Sequence, residues 1–208
     1  GRWITVLRNR SEDRERYDLW GYDRQGGQWT MLVDSSKFES GRELSEAEKM
    51  QRERQRIGDL KGIVTYDWAD DSRSILVPLA GDLYLAGLDG RVTRLTETAE
   101  DELNPDLSPK GGYVSFVRDG RLWTGGATDG AQARPVTPAE ASDTVHWGEA
   151  EFVAQEEMKR MTGFWWSPDD SRIAVERFDE APVAVVTRTA IGADDTRTYA
   201  QRYPAAGT

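Results

Sequence analysis

The sequence of 208 residues contains no cysteine and one histidine, His146. The lack of cysteine excludes disulfide bonds, thiolate zinc sites and a cysteine nucleophile from this chain. No apolar run approaches the roughly 18 residues that a membrane-spanning helix needs, so no membrane segment is expected. Acidic residues outnumber basic ones by 37 to 27, and the net charge of −10 argues against a nucleic-acid surface. Neither a Walker loop nor a Gly-x-Gly-x-x-Gly fingerprint occurs, so no nucleotide cofactor is predicted.

The residues that are present point to a β-rich globular fold. Hydrophobic residues make up 38% of the sequence and charged residues 31%, a balance that excludes a disordered tail or a collagen. Eight tryptophans, seven tyrosines and five phenylalanines favour an aromatic-rich core of strands. Residues 1–6 already have a strand pattern, so we expect the chain to begin inside a fold.

A phrase recurs along the chain: an aromatic residue or leucine, a tight turn, and then an alternating strand. It occurs in residues 67–76, 107–114 and 166–174. Trp68 and Leu107 are 39 residues apart, and so are Leu83 and Leu122 in a second recurring phrase. This period is typical of the short antiparallel strands of propeller blades, and it predicts an all-β partial propeller of about four blade units. A β-sandwich with a similar strand count is the rival interpretation.

Two intervals are longer than the repeat. Leu19 and Leu83 are 64 residues apart, 25 too many, and Leu107 and Trp166 are 59 apart, 20 too many. The surplus lies in two insertions, an arginine-rich helical stretch at residues 42–58 and a glutamate-bearing segment at residues 148–164. Insertions in repeat folds map to loops on one face, often the binding face.

The first insertion is predicted to be a helix that begins at Ser45. Glu48 follows three residues later, which is the spacing of a capping box. One stripe of this helix carries Ala47, Met50, Arg54 and Ile57. A second stripe carries Glu48, Arg52 and Arg56, spaced for ion pairs in water. Arg54 shares the apolar stripe, and an inward arginine needs a carboxylate or carbonyl group to bind.

The second insertion contains two adjacent carboxylates, Glu156 and Glu157. On a helical turn they lie about 100° apart and can converge on one point. Two close carboxylates repel each other, and a cation such as a protonated amine would relieve that repulsion. Surface decoration is the alternative interpretation. His146 is assigned a packing or loop role, and acidic pairs such as Asp169 and its neighbour are assigned to turns, so no metal site is predicted.

Several runs of the sequence resemble the dipeptidyl peptidase IV family, which are serine exopeptidases of the prolyl oligopeptidase type. The most specific are FVAQEEM at residues 152–158 and TGFWWSP at 162–168, followed by RFDE at 177–180 and RYPAAGT at 202–208. The runs LSE at 44–46, RERQR at 52–56 and GIVTYD at 62–67 are similar to bacterial members and to the dipeptidyl peptidase 8 and 9 branch. The resemblance covers roughly residues 42–208.

The resemblance implies a fold and an activity. Family members have an eight-bladed propeller packed on an α/β-hydrolase domain, and they release dipeptides with proline or alanine in second position. It implies that Glu156 and Glu157 hold the α-ammonium group of the substrate, and that an arginine of the inserted helix holds its backbone carbonyl. The stripe described above favours Arg54, although Arg52 and Arg56 are only two residues away. Gln155 stands where some relatives carry a third acidic residue.

One family feature is missing from the sequence. The nucleophilic serine lies on a Gly-x-Ser-x-Gly elbow, with aspartate and histidine later in the chain, and no such elbow occurs here. We therefore expect residues 1–208 to be part of an N-terminal propeller that is inactive alone and has its hydrolase domain elsewhere. The rival interpretation is a non-catalytic propeller that serves as a protein-interaction platform.

Other expectations come from the family alone. Members are commonly dimers, so a homodimer is expected, and no cofactor is implied. The compartment stays open between periplasm and cytoplasm, with the periplasm favoured for a bacterial protein. The natural substrate is not determined by these residues.

Overall fold

The computed structural model describes residues 1–38, 41–128, 132–193 and 195–205, so the last three residues of the run at 202–208 lie outside the described residues. The first sheet is built mainly from an antiparallel meander, and a short parallel strand is added beside its second strand. Its strands are β1 (Trp3–Asn9), β2 (Arg16–Asp23), β3 (Gln28–Val33) and β4 (Lys61–Gly62). A 3-10 turn, Ser35–Phe38, follows β3.

Two four-stranded antiparallel sheets follow in sequence order. The second sheet contains β5 (Asp67–Trp68), β6 (Ser74–Leu79), β7 (Asp82–Gly87) and β8 (Val92–Arg94). The third contains β9 (Leu103–Leu107), β10 (Tyr113–Arg118), β11 (Arg121–Gly126) and β12 (Arg134–Pro135). Trp68 and Leu107 end the first strands of these sheets, and Leu83 and Leu122 lie in their third strands. The period of 39 residues is therefore the repeat of one whole sheet.

Each central sheet is buried on both faces. In β6, Ile75 and Val77 pack with residues of the first sheet, whereas Leu76 between them packs with Val114 and Phe116 of the third sheet. These five side chains are at most 2% exposed, and burying each stabilises the fold by about 1.5–3 kcal/mol. A sheet of a β-sandwich has one core face, whereas stacked propeller blades have two. The propeller prediction is confirmed, and the sandwich is excluded.

The remaining strands pair two by two. They are β13 (Val145–Trp147), β14 (Phe164–Trp166), β15 (Ile173–Val175), β16 (Arg177–Asp179), β17 (Val185–Ile191) and β18 (Thr196–Arg202). A third core cluster joins Val117 and Leu122 of the third sheet to Phe164 of β14. Strands β17 and β18 form a hairpin whose side chains are mostly exposed.

The two insertions each contain a helix, α1 (Glu46–Arg54) and α2 (Phe152–Met158). Both lie within the segments that exceeded the repeat, so the insertions add helices without adding strands to the central sheets. In the part of the chain that the structure describes, neither helix is long and apolar enough to cross a membrane.

Candidate functional site

The glutamate-bearing insertion leaves a strand and returns to it. Strand β13 pairs with β16, ending with Trp147 opposite Arg177. Strand β14 then pairs with β15, beginning with Phe164 opposite Val175. Gly148 N donates to Glu176 O at 3.0 Å, so the ladder passes through position 176 without a break. Residues 149–163 therefore form an excursion from what is otherwise one continuous outer strand.

Helix α2 is fixed at both ends by local contacts. The carboxylate of Glu151 caps its first turn and accepts from the backbone N–H groups of Val153 and Ala154, at 2.6 and 2.7 Å. Such a side-chain cap satisfies donors that the helix itself leaves free. Lys159 ends the helix in the left-handed conformation, and its N–H donates to Ala154 O. Glu156 is consequently held in the last turn of a short helix.

Helix α1 begins as the sequence predicts, but its capping box is only half formed. Ser45 Oγ accepts from Glu48 N at 3.1 Å. The backbone N–H of Ser45 donates to Asp101 Oδ2 instead of to Glu48. Glu48 Oε1 accepts two hydrogen bonds from Arg52, at 2.9 and 2.6 Å. The start of the helix is thus tied to the segment between the second and third sheets.

The prediction of a solvated stripe on α1 is wrong for Arg52. Its side chain pairs with Glu48, donates to Leu60 O at 3.2 Å, and the residue is 8% exposed. Arg56 lies beyond the helix with φ of +59° and is exposed. The helix ends at Arg54, so the helical spacing that placed Arg56 on this stripe does not continue that far.

Arg54 is the arginine of this run whose described contacts reach the glutamate insertion. Its Nε lies 3.5 Å from Glu156 Oε1, and its Nη1 donates to Gln155 Oε1. Its guanidinium also lies over the Phe152 ring, 5.1 Å from the centroid. Burial lowers the pKa of Arg54, whereas Glu156 opposes that shift. The contacts join two segments that are about 100 residues apart in sequence.

The two glutamates differ in their surroundings. The Glu156 side chain is 40% exposed and faces Arg54. Glu157 is exposed, and within the described ranges no ion pair of its carboxylate is found. Two open carboxylates beside one guanidinium can accept the N–H groups of an ammonium ion and can offer donors to a nearby carbonyl. The binding roles of Glu156, Glu157 and Arg54 stay predictions.

A cavity of about 280 Å³ lies behind Arg54, between α1 and the base of the insertion. His146 lines it and stacks on Phe178 with ring centroids 4.9 Å apart. Its two ring nitrogens lie 3.6 Å from Glu149 and 3.6 Å from Glu180, distances of ion pairs slightly beyond hydrogen-bond range. Glu149, and then Glu180, raise the pKa of His146 to about 9 against the opposing effect of burial.

The sequence assigned His146 a packing role, which its stacking on Phe178 supports, but it did not predict the two glutamates around it. The i, i+3 spacing of His146 and Glu149 was an available signal, whereas Glu180 comes from another strand end. The roles of Gln155 and Phe152 beside Arg54 were also not predicted from sequence.

The acidic turns have structural roles. Asp169 Oδ1 accepts from the hydroxyl groups of Ser167 and Ser171, at 2.6 and 2.7 Å, and closes the turn between β14 and β15. Asp170 accepts from Ser108 Oγ at 2.6 Å. Among the described residues there is no group of three or more side chains that could hold a metal ion.

Comparisons with known proteins agree with this architecture. Human dipeptidyl peptidase 8 is 28% identical over 189 residues, 79% of this chain and 21% of that protein. Mouse dipeptidyl peptidase 8 is 28% identical over 190 residues, with the same coverage. The chain thus spans about a fifth of the length of these curated relatives. The crystal structure of Porphyromonas gingivalis dipeptidyl peptidase 4 superposes with a TM-score of 0.66 at 23% identity, covering 100% of this chain and 28% of that one.

A family model described as the dipeptidyl peptidase IV (DPP IV) N-terminal region matches residues 61–208. The match begins at β4 and includes α2, the second and third sheets and the strands that follow them. It covers more than two thirds of the sequence, which confirms the resemblance. The chain belongs to the dipeptidyl peptidase IV N-terminal region family.

Proposed function

We propose that this chain is the substrate-recognition propeller portion of a serine-type dipeptidyl aminopeptidase that releases N-terminal Xaa-Pro or Xaa-Ala dipeptides. In this proposal Glu156 and Glu157 bind the α-ammonium group of the peptide substrate. Arg54 binds the backbone carbonyl that follows it. The observation that carries the proposal is the 3.5 Å contact between Arg54 and Glu156, because it places cationic and anionic groups of two separate insertions side by side.

The chemistry of a peptide N-terminus suits this arrangement. An α-ammonium group offers three N–H donors and one positive charge, and two carboxylates accept most of them. The neighbouring carbonyl group needs a donor, which a guanidinium supplies. A site that binds a free N-terminus at a fixed distance from the nucleophile would limit cleavage to the second peptide bond.

The catalytic groups would come from outside these residues. We propose that residues 1–208 are part of a propeller domain and that a C-terminal α/β-hydrolase domain of the same protein supplies the serine, aspartate and histidine. The chain alone would then be inactive. A homodimer, as is common in the family, is part of the same proposal.

The test is a kinetic comparison in the full-length protein. Removing one member of a desolvated charge pair typically costs about 2–5 kcal/mol, which corresponds to roughly 30-fold or more in kcat/KM. Glu156→Ala and Glu157→Ala should each lower kcat/KM for a Xaa-Pro anilide by at least about thirtyfold. Glu97→Ala is the matched control, because Glu97 is an exposed carboxylate paired with an arginine, Arg94, at 3.0 Å.

Two further measurements separate this proposal from the rival. Blocking the substrate N-terminus should reproduce the glutamate substitutions, and a small serine-directed reagent should still label both variants. Near wild-type kcat/KM in both glutamate variants would contradict the assignment of the site. Absence of any hydrolysis by the full-length protein would favour the non-catalytic interaction platform.

A further inference from the structure

Asn104 lies at an irregularity in the first strand of the third sheet. The pairing of β9 with β10 shifts register, since Val117 is opposite Leu103 whereas Ser115 is opposite Asp106. Asn104 has φ of +50°, in the left-handed region that asparagine tolerates better than most residues. Pro105 follows it and has no N–H to give to a ladder. Bulges of this kind redirect a side chain out of the regular strand pattern.

The redirected amide of Asn104 uses both of its polar groups. Its Oδ1 accepts from Gln51 Nε2 at 2.6 Å. Its Nδ2 donates to the backbone carbonyl of Met161 at 3.1 Å. Asparagine provides an acceptor and a donor on adjacent atoms, so one side chain can link two segments. Here those segments are helix α1 and the returning leg of the glutamate insertion.

Both linked residues are close to the candidate site in sequence and in space. Gln51 precedes Arg54 by three residues on α1, and both line the cavity behind the site. Met161 directly precedes Thr162, which forms a bridge with Glu149 at the base of the excursion. Asn104 lines the same cavity. It therefore joins the arginine-bearing helix to the glutamate-bearing excursion at their bases.

The other described links between these two segments are made by Arg54 itself. They are its contacts with Glu156, Gln155 and the Phe152 ring. An ammonium group that binds Glu156 would compete with Arg54, and a substrate carbonyl that binds Arg54 would draw it from Gln155. These contacts would weaken when substrate binds, whereas the two hydrogen bonds of Asn104 involve none of the binding groups.

We propose that Asn104 is a positioning residue that sets the separation between Arg54 and the glutamate pair while substrate occupies them. This inference rests on the function proposed above. The side chain does not touch substrate and acts through Gln51 and Met161. Its loss allows α1 and the insertion to move apart, and a misplacement of about 1 Å in a binding group can cost up to a hundredfold in rate.

Asn104→Gly is the informative substitution, because glycine keeps the left-handed backbone and removes only the amide. The matched control is Asp119→Gly in the same sheet, where an exposed residue has the same φ of +50°. In the full-length protein, Asn104→Gly should lower kcat/KM for a Xaa-Pro anilide by about tenfold or more, mainly through KM. Asp119→Gly should leave kcat/KM within about twofold of wild type.

A double-mutant cycle distinguishes positioning from general stability. If Asn104 acts by placing Arg54, then Asn104→Gly should change kcat/KM by less than about twofold in an Arg54→Ala background. The rate of labelling by a serine-directed reagent should be unchanged in all of these variants. Additive losses in the cycle, or near wild-type kcat/KM in Asn104→Gly, would overturn the positioning role.

The same set of variants separates the two proposals. Normal kcat/KM in Arg54→Ala and Glu156→Ala would refute the proposed site, and the positioning role would be refuted with it. Large losses in those two variants, together with normal kcat/KM in Asn104→Gly, would refute the positioning role alone.

Discussion

Gly163 donates its backbone N–H to Gly148 O at 2.9 Å, although the two glycines are fifteen positions apart. This contact closes the base of the excursion that carries α2. It also accounts for most of the surplus that lengthens the interval before Trp166, since residues 149–163 leave the ladder and the rest of the surplus falls between β12 and β13. The strand can therefore carry a binding segment without losing its pairing with the next strand.

Gly163→Ala should destabilise the base of the insertion. A Cβ atom at position 163 would lie 2.6 Å from the carbonyl carbon of Glu149, closer than packed atoms approach. Relief of that overlap requires the backbone to move, at a cost of about 1–3 kcal/mol. Chemical denaturation should show this loss in the free energy of unfolding.

Gly112→Ala is the control for Gly163→Ala. A Cβ atom there would meet Asp170 Oδ2 at 3.8 Å, which is ordinary contact. We expect little change in stability from it. Equal stability of the two variants would contradict the close approach of residues 149 and 163.

His146 should make the stability of the protein depend on pH in the alkaline range. Glu149 and Glu180 raise its pKa to about 9, above the value of about 6.5 for an unfolded histidine. A raised pKa favours folding while the ring is protonated, so this contribution is fully present below about pH 6.5 and is lost as pH rises through about 9.

His146→Gln provides the comparison, because glutamine is uncharged at every pH of the titration. Denaturation of both proteins between pH 6 and pH 10 should show wild type more stable at the acidic end. The difference should shrink towards pH 10. A difference that stays constant over this range would show that His146 does not titrate there.

Arg52→Ala should loosen α1 more than Arg56→Gly. Arg52 is buried against Glu48 and Leu60 O, and its removal leaves the Glu48 carboxylate without its cation, at a cost of about 3–5 kcal/mol. Arg56 is exposed in a left-handed conformation that glycine adopts freely. Hydrogen exchange should accelerate across residues 46–54 in Arg52→Ala and stay close to wild type in Arg56→Gly. Similar exchange in both variants would contradict this prediction.

Arg54→Lys should preserve the fold and weaken peptide binding. Arg54 reaches Glu156 through Nε and Gln155 through Nη1. Lysine has one nitrogen and loses the planar fork that makes these contacts together. If the proposed function holds, KM for a Xaa-Pro anilide should rise about tenfold, with the melting temperature within a few degrees of wild type. An unchanged KM would show that one cation at any nearby position is sufficient.

The sequence by itself determined the repeat, the two insertions and the start of α1. The period of 39 residues is visible because each blade repeats the same turn and strand pattern locally. Ser45 was recognisable as a helix cap because capping involves residues within one turn. The inward direction of Arg54 followed from helical spacing, and the structure places it against Gln155 and Glu156.

Only the tertiary structure decided which charges meet. The burial of Arg52, the two glutamates around His146 and the bulge that aims Asn104 at two segments all depend on contacts between residues far apart in sequence. Spacing along a chain fixes which residues share a face of one helix or strand. It does not fix which neighbouring element covers that face, because that choice is made by the packing of blades and insertions against one another.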